Sequence, residues 1–229
     1  MANRKALIVW GGWSGHEPEQ VAGIFEKQLT QHGFEVEVSD TLEAFNDGEK
    51  LKSLDLIVPV WTMGQITKEQ EKNLLEAVKS AVGIGGCHGG MCDSFRNNTE
   101  YQFMTGGQWV SHPGNDGVEY DVEIRDPNHF ITQGCPMTFL VKSEQYYMHV
   151  DPAIQVLATT RFPAKGVGGP HLKNGVVDVP VVWTKYYGEG RVFYSSLGHV
   201  ASVVAQEEPL LLATRGLLWA ARAEDAAQG

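Results

Sequence analysis

Short apolar runs alternate with segments of helical periodicity as far as Asn97. From Glu17 to His32, apolar residues recur at helical spacing, and Gly33 ends that predicted helix. Thr67-Lys-Glu-Gln70 is a capping box, which predicts the start of a second helix. The runs that predict strands are Lys5 to Trp10, Phe34 to Val38, Leu54 to Val60 and Ala81 to Gly86. Strands that alternate with helices indicate a mostly parallel sheet between two helical layers, which is a three-layer α/β fold.

After Asn97 the pattern changes to strands and loops. The segments that predict strands are Val118 to Ile124, Phe139 to Tyr147, Ile154 to Thr160, Val179 to Tyr187 and Arg191 to Leu197. The last two form a predicted hairpin across Gly188-Glu189-Gly190, and Glu207 to Arg222 predicts a closing helix. Neither a linker nor a repeat interrupts the sequence. We therefore expect residues 1–229 to form a single domain with a β-rich second half.

The segment AVGIGGCHGGMCDSFR, residues 81–96, carries the most specific signal. A short apolar run ends in glycines, and Gly86, His88 and Gly90 then stand at alternate positions. This is the spacing of a G-x-nucleophile-x-G elbow, in which a strand turns sharply into a helix and presents one side chain. The presented residue is His88 rather than serine or cysteine. We expect its ring to face open solvent and His199.

Composition excludes several classes of protein. The net charge is −10 and no run of basic residues occurs, which argues against nucleic-acid binding. No apolar run approaches the roughly 20 residues that a membrane span needs, so we expect no membrane partner. Cys87, Cys92 and Cys135 form no C-x-x-C motif, and we interpret them as reduced thiols in a cytoplasmic protein.

Four residues are candidates for chemistry. His88 and His199 each follow a predicted strand, Glu144 interrupts an aromatic segment, and His16 follows the first strand. Glu144 has an alternative as an exposed edge-strand acid, and His16 has one as a helix cap. If the four converge, they can act as general acids and bases. Three of them, His88, His199 and Glu144, also match the ligands of a divalent metal such as zinc.

Aromatic residues surround these candidates in the sequence. Trp13, Trp109 and Tyr146 are predicted to stack on the apolar faces of a sugar, while Gln108 and His112 bond its hydroxyl groups. The alternative is that such aromatic residues belong to the core. Aromatic surface is also compatible with a homo-oligomer, although no segment identifies an interface.

Together these residues resemble the ThuA-like, or trehalose-utilisation, family, which has the class I glutamine-amidotransferase-like fold. The resemblance covers most of the chain and rests on VWGGWSGHEPE, GIGGCHGGMCDSF, GGQWVSHPG, SEQYYMHVDP and GRVFYSSLGH. It implies a flavodoxin-like sheet with the elbow after a central strand. It also implies a role in the utilisation of trehalose, other disaccharides or keto-glycosides, through a small-molecule sugar substrate.

Amidotransferases present a cysteine at the elbow, where this chain has His88, and Cys87 lies one residue away. Without a thiolate at the elbow, glutamine hydrolysis loses its nucleophile. Our leading hypothesis is therefore a carbohydrate-active enzyme, a hydrolase or an isomerase, that is not a glutaminase. One alternative is a non-catalytic module that binds sugar or regulates its use. A second alternative is an amidohydrolase that depends on Cys87.

Overall fold

A computed structural model describes residues 4–228, which form eleven β-strands and seven α-helices. The strands are β1 (Arg4–Gly12), β2 (Phe34–Ser39), β3 (Leu56–Thr62), β4 (Gly83–Cys87), β5 (Gly107–Ser111), β6 (Val118–Ile124), β7 (Thr138–Ser143), β8 (Tyr147–Val150), β9 (Gln155–Phe162), β10 (Val177–Tyr187) and β11 (Gly190–Ser195). The helices are α1 (Pro18–Gln31), α2 (Gly48–Lys52), α3 (Lys68–Lys79), α4 (Gly89–Cys92), α5 (Thr99–Thr105), α6 (Ala201–Val204) and α7 (Glu207–Ala220). Short 3-10 helices lie at Ser14–His16, Leu42–Phe45, Pro170–Asn174 and Glu224–Gln228.

Nine strands form one sheet, in the order β2-β1-β3-β4-β11-β10-β9-β6-β7. The first five strands of that order are parallel to one another. The remaining strands continue the sheet with antiparallel pairings. Strands β5 and β8 form a separate antiparallel ribbon. Since β11 pairs with β4, a single sheet contains strands from both halves of the chain, and the predicted α/β class with a β-rich second half is confirmed.

Helices cover both faces of the parallel strands. In β1, Ile8 belongs to a core that includes Phe25 of α1 and Leu217 of α7. Its neighbour Leu7 points to the opposite face and belongs to a second core with Leu74 of α3. Successive side chains of a strand point to opposite faces of the sheet. A strand that is apolar at consecutive positions therefore needs a helical layer on each side. The fold therefore has the three predicted layers.

Two local predictions are confirmed in detail. The Thr67 hydroxyl accepts a hydrogen bond from the Gln70 backbone N–H at 3.2 Å, and the Gln70 side chain accepts one from the Thr67 backbone N–H at 2.9 Å. This is the reciprocal capping box expected at the start of α3. Strands β10 and β11 form the predicted hairpin, with Tyr187 opposite Gly190.

The predicted strand from Phe139 to Tyr147 is wrong, because it is two strands separated by residues 144–146. Gln145 explains the break. Its side chain donates hydrogen bonds to Thr160 and to the Arg161 carbonyl, and it accepts one from the Ala164 backbone N–H. These bonds are made with residues distant in sequence, so the strand pattern does not reveal them. They direct the chain out of the sheet at Glu144.

The prediction of only strands and loops directly after Asn97 is also incomplete. Helix α5 begins there, and the Asn98 side chain caps it by accepting a hydrogen bond from the Tyr101 backbone N–H at 2.9 Å. Trp109 lies in β5 rather than in a loop, and it is half-buried because β8 pairs alongside.

Candidate active site

Three histidines and a glutamate meet at the carboxyl ends of the parallel strands. His16 follows β1, His88 follows β4 and His199 follows β11, whereas Glu144 enters from the break between β7 and β8. The ring centroid of His88 lies 4.8 Å from that of His16 and 5.5 Å from that of His199. All four residues are buried. This edge of a parallel sheet is where ligands bind in open α/β folds, and the predicted convergence of these side chains is present.

The backbone makes the predicted tight bend at His88, with a φ of 50° and a ψ of −138°. The glycines on either side let the elbow lie close to β3. A Cβ on Gly86 would lie 3.0 Å from the Pro59 carbonyl oxygen, and one on Gly90 would lie 3.1 Å from Val60 Cα. Both neighbours are backbone atoms of β3, which cannot move aside easily. The elbow therefore packs directly on the adjacent strand.

The expectation that the His88 ring faces open solvent is wrong, since the residue is only 1% exposed. Its Nδ1 lies 2.8 Å from the Ser196 carbonyl oxygen, and its Nε2 lies 3.1 Å from Glu144 Oε2. Tyr146 stacks on the ring at a centroid distance of 3.8 Å. Carbonyl and carboxylate oxygens only accept, so both ring nitrogens of His88 donate a hydrogen to their partners. The ring therefore has no lone pair free for a metal, and it orients Glu144.

The Glu144 carboxylate has one anchored oxygen and one that faces the other histidines. Its Oε1 lies 3.6 Å from His199 Nε2 and 3.7 Å from His112 Nδ1, so it is hydrogen-bonded to neither ring. Desolvation alone would raise the pKa of this carboxyl, but the hydrogen bond from His88 and the surrounding imidazoles lower it below its usual value. Glu144 is therefore ionised at neutral pH, and it is not the exposed edge-strand acid that we considered as an alternative.

His16 is held neutral by its surroundings. Burial, followed by the nearby rings of His88 and His199, lowers the pKa of His16 to about 3. Its Nδ1 lies 2.8 Å from the Thr62 hydroxyl at the end of β3. The alternative that His16 caps a helix is not supported, since α1 begins at Pro18 without a side-chain cap.

His199 has an acidic partner that the sequence analysis missed. Its Nδ1 lies 3.1 Å from Asp116 Oδ1. Asp116 lies in an Asn-Asp-Gly sequence, which indicates a turn and gives no signal of a chemical role. Thr62 was missed as well, since it ends an apolar strand with no polar motif around it.

Ligand-type atoms of His16, Glu144 and His199 all lie within 4.8 Å of one another. This set differs from the predicted one in that His16 takes the place of His88. Two imidazoles and one carboxylate form the ligand set of many catalytic zinc sites, which leave a further position open.

Two of the predicted sugar-binding aromatic residues lie beside this cluster. Trp13 is 46% exposed, and its ring meets that of His16 edge to face at 4.7 Å. The Trp109 ring lies 5.4 Å from that of His112, and the Arg96 guanidinium lies over it at 4.7 Å. An exposed tryptophan at the rim of a polar cluster has the chemistry of a sugar-stacking surface.

Of the remaining predicted positions, His112 faces Glu144, whereas Tyr146 and Gln108 do not line an accessible wall of the site. Tyr146 is 3% exposed and packs against His88, so no face of its ring is free to stack on a sugar. Gln108 lines a separate groove of about 500 Å³ together with Phe103 and His149. Its side chain donates to the Trp109 carbonyl within β5.

The geometry argues against Cys87 as a nucleophile. The residue is 3% exposed and belongs to a hydrophobic core, and burial raises the pKa of its thiol to about 12. A thiol with such a pKa is almost entirely protonated at neutral pH, whereas the thiolate is the reactive form. Within residues 4–228, all three cysteines are free and buried.

Comparison with protein families gives one match over nearly the whole chain. The family model described as ThuA, trehalose utilisation, matches residues 5–220. The chain belongs to the ThuA family. The resemblance inferred from its motifs is thereby confirmed. The comparison of this ThuA-family sequence with curated proteins gives no match.

Solved structures share the fold. A ThuA-like protein from Bacteroides uniformis has a TM-score of 0.74 and 20% identity over 95% of this chain and 91% of its own. A ThuA-like protein from Parabacteroides merdae has a TM-score of 0.71 and 20% identity, covering 96% and 90% respectively. A β-galactosidase from Rahnella sp. R3 has a TM-score of 0.60 and 14% identity over 99% of this ThuA-family chain, which corresponds to 32% of the enzyme. At these identities the likeness concerns the fold alone.

The length and hydropathy of the helices bear on the expectation of no membrane partner. Within the described part of the chain, no helix is both long and apolar enough to cross a bilayer.

Proposed function

We propose that this ThuA-family protein is an enzyme of disaccharide or keto-glycoside utilisation, and that it acts on its sugar at the Glu144–histidine cluster. The observation that carries the proposal is the position of Glu144 Oε1, which His199 Nε2 and His112 Nδ1 face at 3.6 Å and 3.7 Å. These distances exceed that of a hydrogen bond, so the three atoms keep bonding capacity that one shared ligand atom can satisfy. Buried titratable groups converging in this way are typical of catalytic sites.

A divalent cation such as zinc suits the ligand atoms of this cluster. His199 Nε2 and Glu144 Oε1 lie 3.6 Å apart, within the roughly 4 Å that two bonds of about 2.0–2.2 Å can span. His16 completes the set, and its low pKa leaves the ring uncharged and able to bind metal at neutral pH. When bound, such an ion polarises an oxygen of the substrate or activates water, which suits a hydrolase or an isomerase.

The residues around the cluster suit a sugar. Trp13 offers an exposed ring to an apolar sugar face, and Trp109 forms a half-buried wall beside His112. His112 Nδ1 is buried and has no hydrogen-bond partner among the described residues. A buried polar atom of this kind needs a partner, and a sugar hydroxyl can supply one.

We also propose a cytoplasmic location. Support comes from the three free, buried thiols, since unpaired cysteines are typical of reducing compartments.

The test compares wild-type protein with Glu144→Gln, and with His149→Asn at an exposed histidine outside the cluster as the control. Trehalose, other disaccharides and their keto derivatives are incubated with protein purified without chelators, and the products are separated by chromatography. We expect turnover of at least one sugar, a loss of about 100-fold or more in Glu144→Gln, and no change in His149→Asn. Elemental analysis of the same samples should find zinc at one equivalent in wild type and less in Glu144→Gln.

Two results would contradict the proposal. Equal turnover in wild type and Glu144→Gln would remove the cluster from the chemistry. A sugar that raises the melting temperature and is recovered chemically unchanged would instead support the non-catalytic binding module.

A further inference from the structure

We infer that Asp116 is a positioning residue, which holds the His199 ring with the lone pair of Nε2 directed into the site. The inference deepens the proposed function and rests on it for its catalytic meaning. Asp116 lies in the connection between β5 and β6, and its Oδ1 is 3.1 Å from His199 Nδ1. A carboxylate has no hydrogen to donate, so Nδ1 must carry one. In the neutral imidazole, Nε2 is then unprotonated.

This tautomer matters because of what the Nε2 edge of the His199 ring faces. His199 Nε2 lies 3.6 Å from Glu144 Oε1, and a lone pair directed at a carboxylate oxygen is repulsive on its own. A cation between the two atoms turns that repulsion into attraction. In metal sites, a carboxylate that accepts a hydrogen bond from the outer nitrogen of a ligating histidine fixes the tautomer and raises the basicity of the inner nitrogen. The Asp116–His199–Glu144 order follows that arrangement.

Asp116 differs from the Nδ1 partners of the two neighbouring histidines, His16 and His88. Each ring has a partner on its Nδ1: the Thr62 hydroxyl for His16 and the Ser196 carbonyl for His88. Only the partner of His199 carries a negative charge. A hydroxyl can accept or donate, so it leaves the tautomer open, whereas a carboxylate sets it.

The β5–β6 connection places Asp116 by its own local structure. The Asn115 backbone N–H donates to the His112 carbonyl oxygen at 3.0 Å, and Asn115 itself has a φ of 56°. This turn brings His112 towards Glu144 and Asp116 towards His199 from one short segment. The Asp116 side chain is 65% exposed, so replacing it leaves no buried cavity and the fold should tolerate the change.

The experiment uses Asp116→Ala, Asp116→Asn and the control Asp121→Asn, which removes the same charge from an exposed position on β6. The first readout is the tautomer of His199 in metal-free protein, from two-dimensional proton–nitrogen NMR in mildly alkaline buffer, with the signals assigned by their loss in His199→Gln. We expect an Nδ1-protonated ring in wild type and in Asp121→Asn, and a mixture of tautomers in Asp116→Ala. Asp116→Asn should retain much of the wild-type signal, because its amide oxygen still accepts.

The second readout is the dissociation constant of zinc, measured by calorimetry with the metal alone. We expect Asp116→Ala to bind zinc about 10- to 100-fold more weakly than wild type, Asp116→Asn to be intermediate and Asp121→Asn to be unchanged. An unaltered His199 tautomer in Asp116→Ala would overturn the inference. If the tautomer changes as expected but no variant binds zinc, the positioning role stands and the metal in the proposed function fails.

Discussion

At the scale of single residues, the site depends on how many partners each ring nitrogen has. His88 has a protein acceptor at each nitrogen, at 2.8 Å and 3.1 Å, and is therefore a fixed support for Glu144. His16 and His199 each have a partner at Nδ1, and their other edges lie in the cluster with Glu144. The different roles of His88 and of the other two histidines follow from hydrogen-bond geometry, because a ring nitrogen that already bonds to a protein group is not free to bind a ligand.

Gly89 provides a test of this geometry, because a Cβ there would lie 2.5 Å from His16 Cε1. We expect Gly89→Ala to displace the His16 ring, to lower the free energy of unfolding by about 1–3 kcal/mol and to weaken zinc binding. The control is Gly23→Ala on the exposed side of α1, where no atom lies within 4 Å of the new methyl group. That change should stabilise the protein by up to about 1 kcal/mol. Urea titrations measure both, and similar effects from the two variants would refute the steric argument.

At the scale of elements, the loops after β1 and β11 are tied together. The Glu17 carboxylate, one residue after His16, accepts a hydrogen bond at 3.0 Å from the backbone N–H of Ala201, two residues after His199. Ala201 begins α6, so the bond also satisfies a helix N-terminus. A contact outside the cluster therefore links the two loops that carry His16 and His199.

We expect Glu17→Ala to lower the free energy of unfolding by about 1 kcal/mol and to weaken zinc binding, because the two loops then move separately. Glu17→Gln keeps an acceptor oxygen and should restore most of both quantities. Chemical denaturation and calorimetry provide the measurements. Wild-type zinc affinity in Glu17→Ala would show that the cluster is held in place without this bond.

Whether an element could be predicted from the sequence depends on whether neighbouring or distant residues determine it. The parallel strands, the capping box at Thr67 and the elbow at His88 are encoded by neighbouring residues, and local pattern is sufficient to find them. The break at Glu144 is produced by bonds from Gln145 to residues 15–19 positions away, which pattern cannot show. The elbow spacing likewise predicts the backbone of His88 but not its burial, since Tyr146 and the Ser196 carbonyl cover the ring from other segments.

At the scale of the whole molecule, burying the His16 imidazole couples folding to pH. Burial and the neighbouring rings lower the pKa of His16 to about 3. In the unfolded chain this ring titrates near its ordinary value of about 6.5. Between these values the unfolded state binds more protons than the folded state, so stability rises with pH. The Glu144 carboxyl acts in the same direction at lower pH, because its lowered pKa stabilises the fold until the carboxylate is protonated.

This linkage gives a prediction for His16→Asn, which removes the buried titrating ring. Such a ring adds up to about 1.4 kcal/mol per pH unit to the slope of unfolding free energy between roughly pH 4 and 6. The variant should therefore lose stability less steeply on acidification than wild type, even if it is less stable at neutral pH.

His149→Asn, at an exposed histidine, should keep the wild-type slope. Urea titrations across this range measure the slopes. A slope in His16→Asn equal to that of wild type would mean that the pKa of His16 in the folded protein stays near its ordinary value, and that burial does not keep the ring neutral below pH 6.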